Sequence, residues 1–287
     1  MIQITESPRD AMQGIIEYIP AEKKAKFINS LLKVGFDVLD FGSFVSAKAV
    51  PQMADTAEVL KLLDLTSTKT KLLAIVANKQ GAETAAGFNE IAFLGYPYAM
   101  SPTFLRRNIN KTSEEALALV DTIQEICIKT NKTQVVYLSM VFGNPYGDNW
   151  SKELVYNEVE KLSSKGINFI SLSDTVGISE PSIIAELFSI LPKKYPQINF
   201  SFHLHTTPEM YFPRLEAAIK AGCTNFDTVI GGLGGCPMTG NELVANLQTW
   251  HLIQYLESNN LPHTINTQAL QMAAEIGLEV IPAEYKK

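Results

Sequence analysis

Eight short runs of apolar, β-branched or aromatic residues recur along the chain, and a longer segment of helical periodicity follows each of them. This alternation is typical of strand–helix units whose strands pair in parallel. Eight such units in 287 residues come close to the usual length of a (β/α)₈ barrel, roughly 250 residues. The sequence therefore predicts an α/β fold of the TIM-barrel class. The predicted strands are IQIT (2–5), DVLDF (37–41), KLLAIVA (71–77), EIAFLGY (90–96), QVVYLSMVF (134–142), NFISLSD (168–174), INFSFHLH (198–205) and FDTVIG (226–231).

A doubly wound sheet is the main alternative fold, and the residues after the first strand argue against it. Such folds carry a glycine-rich fingerprint at that point, whereas this chain continues with ESPRDAMQG. No linker of changed composition interrupts the alternation. We therefore expect one catalytic domain over residues 1–287, with the barrel over about 1–260 and additional C-terminal helices over about 262–287.

Local signals mark several helices. Pro20 and Gly35 bracket one helix, and Ser113 is the expected N-cap of a long amphipathic helix. The basic cluster AEKKAK (21–26) is expected on a solvated helix face. Cys127 and Cys223 are expected to fill core positions on their helices.

The composition excludes several partners and compartments. A net charge of −6 and a pI near 5.4 provide no basic footprint for nucleic acid or an anionic membrane. Three scattered cysteines favour a reducing compartment. The N-terminus lacks a targeting pattern, and no apolar run is long enough for a membrane span. We expect a cytoplasmic protein.

His203 and His205 lie two residues apart in an alternating run, so both imidazoles face the same side of a strand. They are either metal ligands or polar residues on a sheet face. Catalytic groups of a barrel lie at the carboxyl ends of its strands, and closure makes strands 7, 8 and 1 neighbours. Asp10, after the first strand, and Asn241, after the eighth, can therefore join the pair. Such a mixed nitrogen and oxygen set favours Mg²⁺ or Mn²⁺, with Zn²⁺ or Fe²⁺ as alternatives.

Two features near this predicted metal site suggest further chemistry. Arg9 keeps its charge at any working pH and is expected to stabilise an oxyanion or enolate rather than form a surface ion pair. The segment GGLGGCP (231–237) reads as a mobile lid over the barrel mouth or as a tight strand-to-helix turn. Cys236 lies within it and is a candidate acid–base group or reactive thiol.

The chain resembles the 3-hydroxy-3-methylglutaryl-CoA lyase family of metal-dependent TIM barrels. The matching segments run along most of its length: ESPRDAMQ (6–13), SFVSAKAVPQMAD (43–55), RRNINKT (106–112), SLSDTVG (171–177), FHLHTTP (202–208), GGLGGCP (231–237) and GNELV (240–244). The resemblance implies retro-Claisen cleavage of an acyl-CoA thioester to acetyl-CoA and acetoacetate. It also implies a divalent metal, Mg²⁺ or Mn²⁺ first and Zn²⁺ next, and we further expect a homo-oligomer, a dimer.

The resemblance also assigns roles to individual residues. It implies metal ligation by Asp10, His203, His205 and Asn241. The implied catalytic set is Arg9, Asp10, Asp40, Asp174, His203 and Cys236, with Asp10 or His203 as the base that takes the hydroxyl proton. Substrate contacts are implied for Gln13, Ser43, Asn108 and Thr175.

Several positions depart from the pattern of the resembled family. Thr206 stands where an acidic or amide residue usually follows the second histidine, and Asp40 where the acid is usually Glu. Ile16 lies where a lysine is usual, and Asn144 where a cysteine is usual. The segment between Cys236 and Asn241 is also shorter than usual.

These departures keep two alternatives to the lyase open. One is a related Claisen-condensing synthase or a 4-hydroxy-2-oxo-acid aldolase. The other is a weakened paralogue that binds metal and ligand without turnover.

Overall fold

The computed structural model describes residues 1–234 and 244–282, and they form a closed parallel barrel with strand order 1 to 8. All eight predicted strands are confirmed, with ends that differ by a few residues. The longest, β4, continues to Ala99, beyond the predicted end. The strands are β1 (Gln3–Glu6), β2 (Val38–Ser43), β3 (Lys71–Ile75), β4 (Ile91–Ala99), β5 (Thr133–Ser139), β6 (Phe169–Asp174), β7 (Asn199–Leu204) and β8 (Asn225–Thr228).

Helices cover the outside of the barrel, and most of the buried apolar side chains lie between them and the strands. The described helices are α1 (Pro8–Gln13), α2 (Ala21–Leu31), α3 (Thr56–Lys61), α4 (Lys79–Ala86), α5 (Pro102–Ile109), α6 (Ser113–Lys129), α7 (Lys152–Ser164), α8 (Pro181–Lys194), α9 (Tyr211–Lys220), α10 (Thr249–Ser258) and α11 (Thr267–Val280). The last of these supplies the predicted C-terminal extension and packs against α2. None of the helices in the described ranges is long and apolar enough to cross a membrane.

Two local predictions about helices are corrected. The N-cap of α6 is Thr112 rather than Ser113, because Thr112 and Glu115 form a reciprocal capping box. Cys127 is buried on α6 as predicted, whereas Cys223 is buried in the turn that follows α9.

The basic cluster at 21–26 is not uniformly solvated. Lys24 is 2% exposed, and its ammonium group lies 2.7 Å from the Asp55 carboxylate and also donates to the Gln52 carbonyl. The helical pattern correctly places α2 on the barrel surface. A lysine on its inner edge is buried because a carboxylate 31 residues away neutralises it.

A short segment inserts between the ends of β7 and β8. These strands pair only at Phe202–Phe226 and His203–Asp227, and beyond that point they diverge. Residues 244–248, which we call the return leg, fill the gap. Two hydrogen bonds attach it to the β7 side, from Thr206 N to Ala245 O at 2.8 Å and from Leu247 N to Leu204 O at 2.8 Å. Another, from Val229 N to Leu247 O at 3.0 Å, attaches it to the β8 side.

Candidate metal centre at the barrel mouth

Asp10, His203 and His205 converge at the carboxyl end of the barrel. One potential ligand atom from each lies within 4.8 Å of the other two. Asp10 is on α1, directly after β1, His203 is the penultimate residue of β7, and His205 follows β7. The sequence prediction that these three side chains meet is confirmed, because barrel closure pairs β1 with β8 and β8 with β7.

A hydrogen bond of His205 and a close carboxylate contact of His203, both at Nδ1, leave Nε2 of each ring facing the site. His205 Nδ1 lies 3.0 Å from the Val244 carbonyl, which fixes its proton on Nδ1. His203 Nδ1 lies 3.3 Å from Asp227 Oδ2, since the two residues are in register on adjacent strands. Outer partners of this kind orient imidazoles that bind metals. Both Nε2 atoms then present lone pairs to the same point.

The spacing of these atoms fits a single ion. The two Nε2 atoms are 3.2 Å apart, and two nitrogens about 2.1 Å from one ion at right angles are separated by about 3 Å. Burial favours the neutral form of both rings, and it lowers the pKa of His205 together with the charge of His203. For His203, burial lowers the pKa, but the nearby carboxylates of Asp227 and Asp10 outweigh burial and raise it. The residues present therefore fit a divalent cation.

Arg9 links the metal group to Asp40. Its Nε and Nη2 donate to Asp40 Oδ2 at 3.0 and 2.5 Å, and its Nη1 donates to Asp10 Oδ1 at 3.1 Å. Burial lowers the pKa of Arg9, but the charges of Asp40 and Asp10 outweigh it and raise the pKa above its ordinary value. Burial raises the pKa of Asp40 to about 6, against the opposing charge of Arg9. Although aspartate is one methylene shorter than glutamate, the Asp40 side chain thus reaches the Arg9 guanidinium and accepts hydrogen bonds from it.

Gln13 completes this network from the far end of α1. Its side-chain oxygen accepts from Arg9 Nη1 at 2.8 Å, and its amide nitrogen donates to Asp10 Oδ1. The i, i+4 spacing of Arg9 and Gln13 puts both on one side of the helix. Burial opposes ionisation of Asp10, yet the charges of Arg9, His203 and His205 lower its pKa, so the carboxylate remains ionised.

Asn246, on the return leg, adds an amide that the sequence did not single out. Its Nδ2 donates to Asp10 Oδ2 at 2.7 Å and to the Leu233 carbonyl at 2.8 Å. The backbones of Asn246 and His205 form an isolated antiparallel β-bridge. The predicted ligand Asn241 and the predicted catalytic thiol Cys236 both lie outside the described residues. Within the described ranges, the side-chain amides of Gln13 and Asn246 both donate to Asp10.

A cavity of about 560 Å³ opens above this group. Three of the predicted substrate residues line it besides Gln13, namely Ser43, Asn108 and Thr175. Ser43 is buried, and its hydroxyl has no hydrogen-bond partner among the residues that the structure describes. Thr175 Oγ1 accepts from Met140 N at 3.1 Å. The Ser43 hydroxyl is therefore a buried polar group on the cavity wall that is available to a ligand.

Asp174 does not reach the cavity. The alternation of β6 turns Ser173 and Thr175 towards it. Asp174 Oδ1 and Oδ2 instead accept from the backbone N–H groups of Ile178 and Ser179, at 3.0 and 2.8 Å. The carboxylate that was predicted to be catalytic thus stabilises the loop after β6 through these two hydrogen bonds.

Thr206 does not contact either imidazole. Its hydroxyl accepts from Arg214 Nη1 at 3.1 Å, and Arg214 Nη2 donates to the Gly177 carbonyl at 2.7 Å. Arg214 is buried and braces the loop after β6 against the end of β7. A hydroxyl at position 206 suits this arrangement because it supplies one acceptor to a guanidinium that is otherwise held by backbone carbonyls.

The other departures have simple placements. Ile16 is 92% exposed in the segment after α1. Asn144 stabilises the loop after β5: its Oδ1 accepts from Tyr146 N at 3.0 Å and Asp148 N at 3.1 Å. Asp148 in turn accepts from Ser101 and Thr103 at the start of α5, the helix that carries Asn108.

Comparisons with known proteins agree with this arrangement. The family model described as HMGL-like matches residues 2–276. The hydroxymethylglutaryl-CoA lyase YngG of Bacillus subtilis is 32% identical over 93% of this chain and 89% of its own. The mitochondrial hydroxymethylglutaryl-CoA lyase of Macaca fascicularis is 33% identical over 94% of this chain and 82% of its own.

The match extends to three dimensions. The structure of an HMG-CoA lyase from Acinetobacter baumannii in complex with coenzyme A and 3-methylmalate superposes with a TM-score of 0.90 and 28% identity, over 98% of this chain and 91% of that one. Family model, sequence identity and superposition each cover nearly the whole chain. The protein belongs to the HMGL-like family of metal-dependent carbon–carbon lyases.

Proposed function

We propose that this protein cleaves 3-hydroxy-3-methylglutaryl-CoA, or a close 3-hydroxyacyl-CoA, to acetyl-CoA and acetoacetate with a divalent metal. One observation carries the proposal: in a member of this family, the donor atoms of Asp10, His203 and His205 converge within 4.8 Å beside Arg9. The cavity of about 560 Å³ above them has room for the acyl end of a thioester. The coenzyme A in the related bacterial structure supports an acyl-CoA substrate.

The metal would be held by Asp10 and the two histidine Nε2 atoms. We propose Asn246 as the oxygen donor that joins them, because its side-chain amide lies beside Asp10, with Nδ2 2.7 Å from Asp10 Oδ2. Asn241 remains the alternative predicted from the sequence. Mixed imidazole and oxygen ligands with open positions favour Mg²⁺ or Mn²⁺, with Zn²⁺ as the next choice. When bound, such an ion supplies the charge that acidifies a chelated tertiary hydroxyl.

Side chains of this protein would then carry out the two proton transfers, one from the hydroxyl and one to the enolate. Asp10 and His203 are the two candidate bases for the hydroxyl proton, and both belong to the metal group. The bond between C2 and C3 breaks as the alkoxide becomes the ketone of acetoacetate, and its electron pair forms the enolate of acetyl-CoA. A proton then adds to C2 of that enolate, and Cys236 is the candidate donor.

Arg9 is placed to hold the enolate oxygen. Four of its five N–H groups are engaged by Asp40, Asp10 and Gln13, and one N–H on Nη2 has no partner among the described residues. A fixed cationic donor aimed at developing charge is an effective source of rate enhancement. The unpartnered Ser43 hydroxyl is proposed to donate to the substrate, with Asn108 and Thr175 as further contacts.

A coupled assay for acetoacetate tests the proposal. The purified protein receives the hydroxymethylglutaryl thioester with Mg²⁺, with Mn²⁺, or with a chelator. Cleavage that depends on metal and is lost in His205→Ala supports the lyase. Condensation of acetyl-CoA with a 2-oxo acid would instead favour the synthase, and metal binding without turnover would favour the weakened paralogue. A homodimer and a cytoplasmic location stay predictions from the sequence.

A further inference from the structure

Glu6 is a buried carboxyl on the outer side of β1 that the proposed reaction does not use. It has no exposed surface. Its Oε1 accepts from Ile230 N at 2.7 Å, and its Oε2 accepts from the hydroxyls of Thr228 at 3.0 Å and Thr249 at 2.6 Å. Burial raises its pKa to about 7, although each of these bonds lowers it. A carboxyl in such a position is costly, so its three donors need an explanation.

The three donors mark the two ends of one loop. Thr228 ends β8, and Ile230 begins the segment 230–234, which we call the outgoing leg. Thr249 is the first residue of α10 and directly follows the return leg. A single side chain on β1 therefore holds the point where the chain leaves the barrel rim and the point where it comes back.

Both legs contact the metal group. The outgoing leg contributes the Leu233 carbonyl, which accepts from Asn246, and Gly234 at φ +87°. A β-carbon at position 234 would lie 2.8 Å from the Asp10 carbonyl, so the leg packs directly against Asp10. The return leg contributes the Val244 carbonyl to His205 and the Asn246 amide to Asp10. The spacing of the two legs thus sets the outer contacts of two candidate ligands.

We propose that Glu6 is a positioning residue for the metal centre, acting by fixing the two legs through Ile230 and Thr249. The inference rests on the proposed function for the identity of the metal group, but it concerns the geometry of that group rather than the reaction. Glu6 contacts none of the candidate ligands itself. It would act through Asn246 and through the tautomer of His205, which the Val244 carbonyl fixes.

The experiment measures Mn²⁺ affinity by isothermal titration calorimetry on four variants of the full chain. Glu6→Leu removes all three hydrogen bonds, and Thr249→Val removes one while Glu6 remains. Glu6→Gln keeps an oxygen for Ile230 N and an amide that can donate to the threonine hydroxyls. Thr70→Val is the matched control, because it removes a buried hydroxyl bond to the Phe36 carbonyl at the opposite end of the barrel.

We expect Glu6→Leu to weaken Mn²⁺ binding about tenfold, the usual scale for outer-shell changes. Thr249→Val should show a smaller loss, and Glu6→Gln should bind within about twofold of the wild type. Amide exchange in residues 244–249 should accelerate in Glu6→Leu and not in Thr70→Val. If Glu6→Leu does not fold, Thr249→Val provides the measurement.

Two results would overturn the inference. The first is an unchanged Mn²⁺ affinity in Glu6→Leu, or in Thr249→Val if Glu6→Leu does not fold. The second is a loss of Mn²⁺ affinity in Thr70→Val as large as that in the Glu6 variant. Failure of the proposed function gives a different pattern. In that case the wild type binds Mn²⁺ and loses it on His205→Ala, yet cleaves no thioester, and the series at position 6 still decides the role of Glu6.

Discussion

Arg9 is proposed to stabilise the enolate, and it also forms an ion pair with the buried carboxylate of Asp40. The variant Arg9→Gln tests both roles. The guanidinium lies 2.5 Å from Asp40 Oδ2, and the Asp40 side chain is 1% exposed. Removing one partner of a buried pair costs about 3–5 kcal/mol, because the other charge is left without compensation. We expect a loss of this size in the free energy of unfolding at about pH 8.

The pH dependence of that loss follows from the pKa of Asp40. Burial already raises it to about 6 while Arg9 is present, and without Arg9 it must rise further. A proton then neutralises Asp40 in the folded variant, so the difference from the wild type is full above the raised pKa of the variant, shrinks as the pH falls from that value towards about 6, and is constant below about 6. Adding Asp40→Asn to Arg9→Gln should restore part of the stability at about pH 8, since the Asp40 charge is then absent while Asp10 still lacks the Arg9 partner.

Activity should not return with stability. Loss of one positioned donor to an oxyanion typically costs about 10²–10³ in turnover, and the double variant lacks that donor as the single variant does. Urea unfolding at about pH 5.5 and 8 gives the stabilities, and the acetoacetate assay gives kcat. A loss in turnover below about tenfold, or about 1.4 kcal/mol, would refute the enolate role. A destabilisation that is equal at both pH values would refute the ion-pair reasoning.

Three further predictions concern residues around the metal group. Asn246→Ala should weaken Mn²⁺ binding about tenfold. Calorimetry on this variant and on Asn241→Ala shows which amide is the metal ligand. A loss of affinity in Asn241→Ala alone would reject Asn246 as the ligand. Glu6→Gln should stabilise the protein above pH 7 by about 3 kcal/mol, because burial raises the pKa of Glu6 to about 7 and each pH unit is worth about 1.4 kcal/mol. That gain should vanish as the pH falls towards 4.5, and a gain independent of pH in urea unfolding would contradict it. Thr206→Val should cost about 1–2 kcal/mol by removing an acceptor from buried Arg214, and an unchanged melting temperature would contradict that role.

The sequence predicted the barrel because its signals are local and repeated. Each strand is a short apolar run before a helical period, and eight repeats leave little choice of fold. Barrel closure then joined Asp10 to His203 and His205 although they are far apart in the chain. Predicting that these residues meet required only the order of the strands around the barrel, which follows from the fold class.

Other features depend on contacts that no local pattern encodes. Asp174 and Thr175 are adjacent, and only the register of β6 decides which of them faces the cavity. Asn246 lies on a five-residue leg whose pairing with β7 has no periodic signal. Lys24 is buried because Asp55 reaches it from another element. Each of these outcomes is decided by tertiary packing.

The return leg has a consequence for how such barrels can diverge. Ladder bonds to Leu204 and Thr206 fix the register of Asn246, so the position of its amide is independent of how many residues precede the leg. Insertions and deletions between the glycine-rich segment and residue 244 would therefore leave the Asn246 amide beside Asp10.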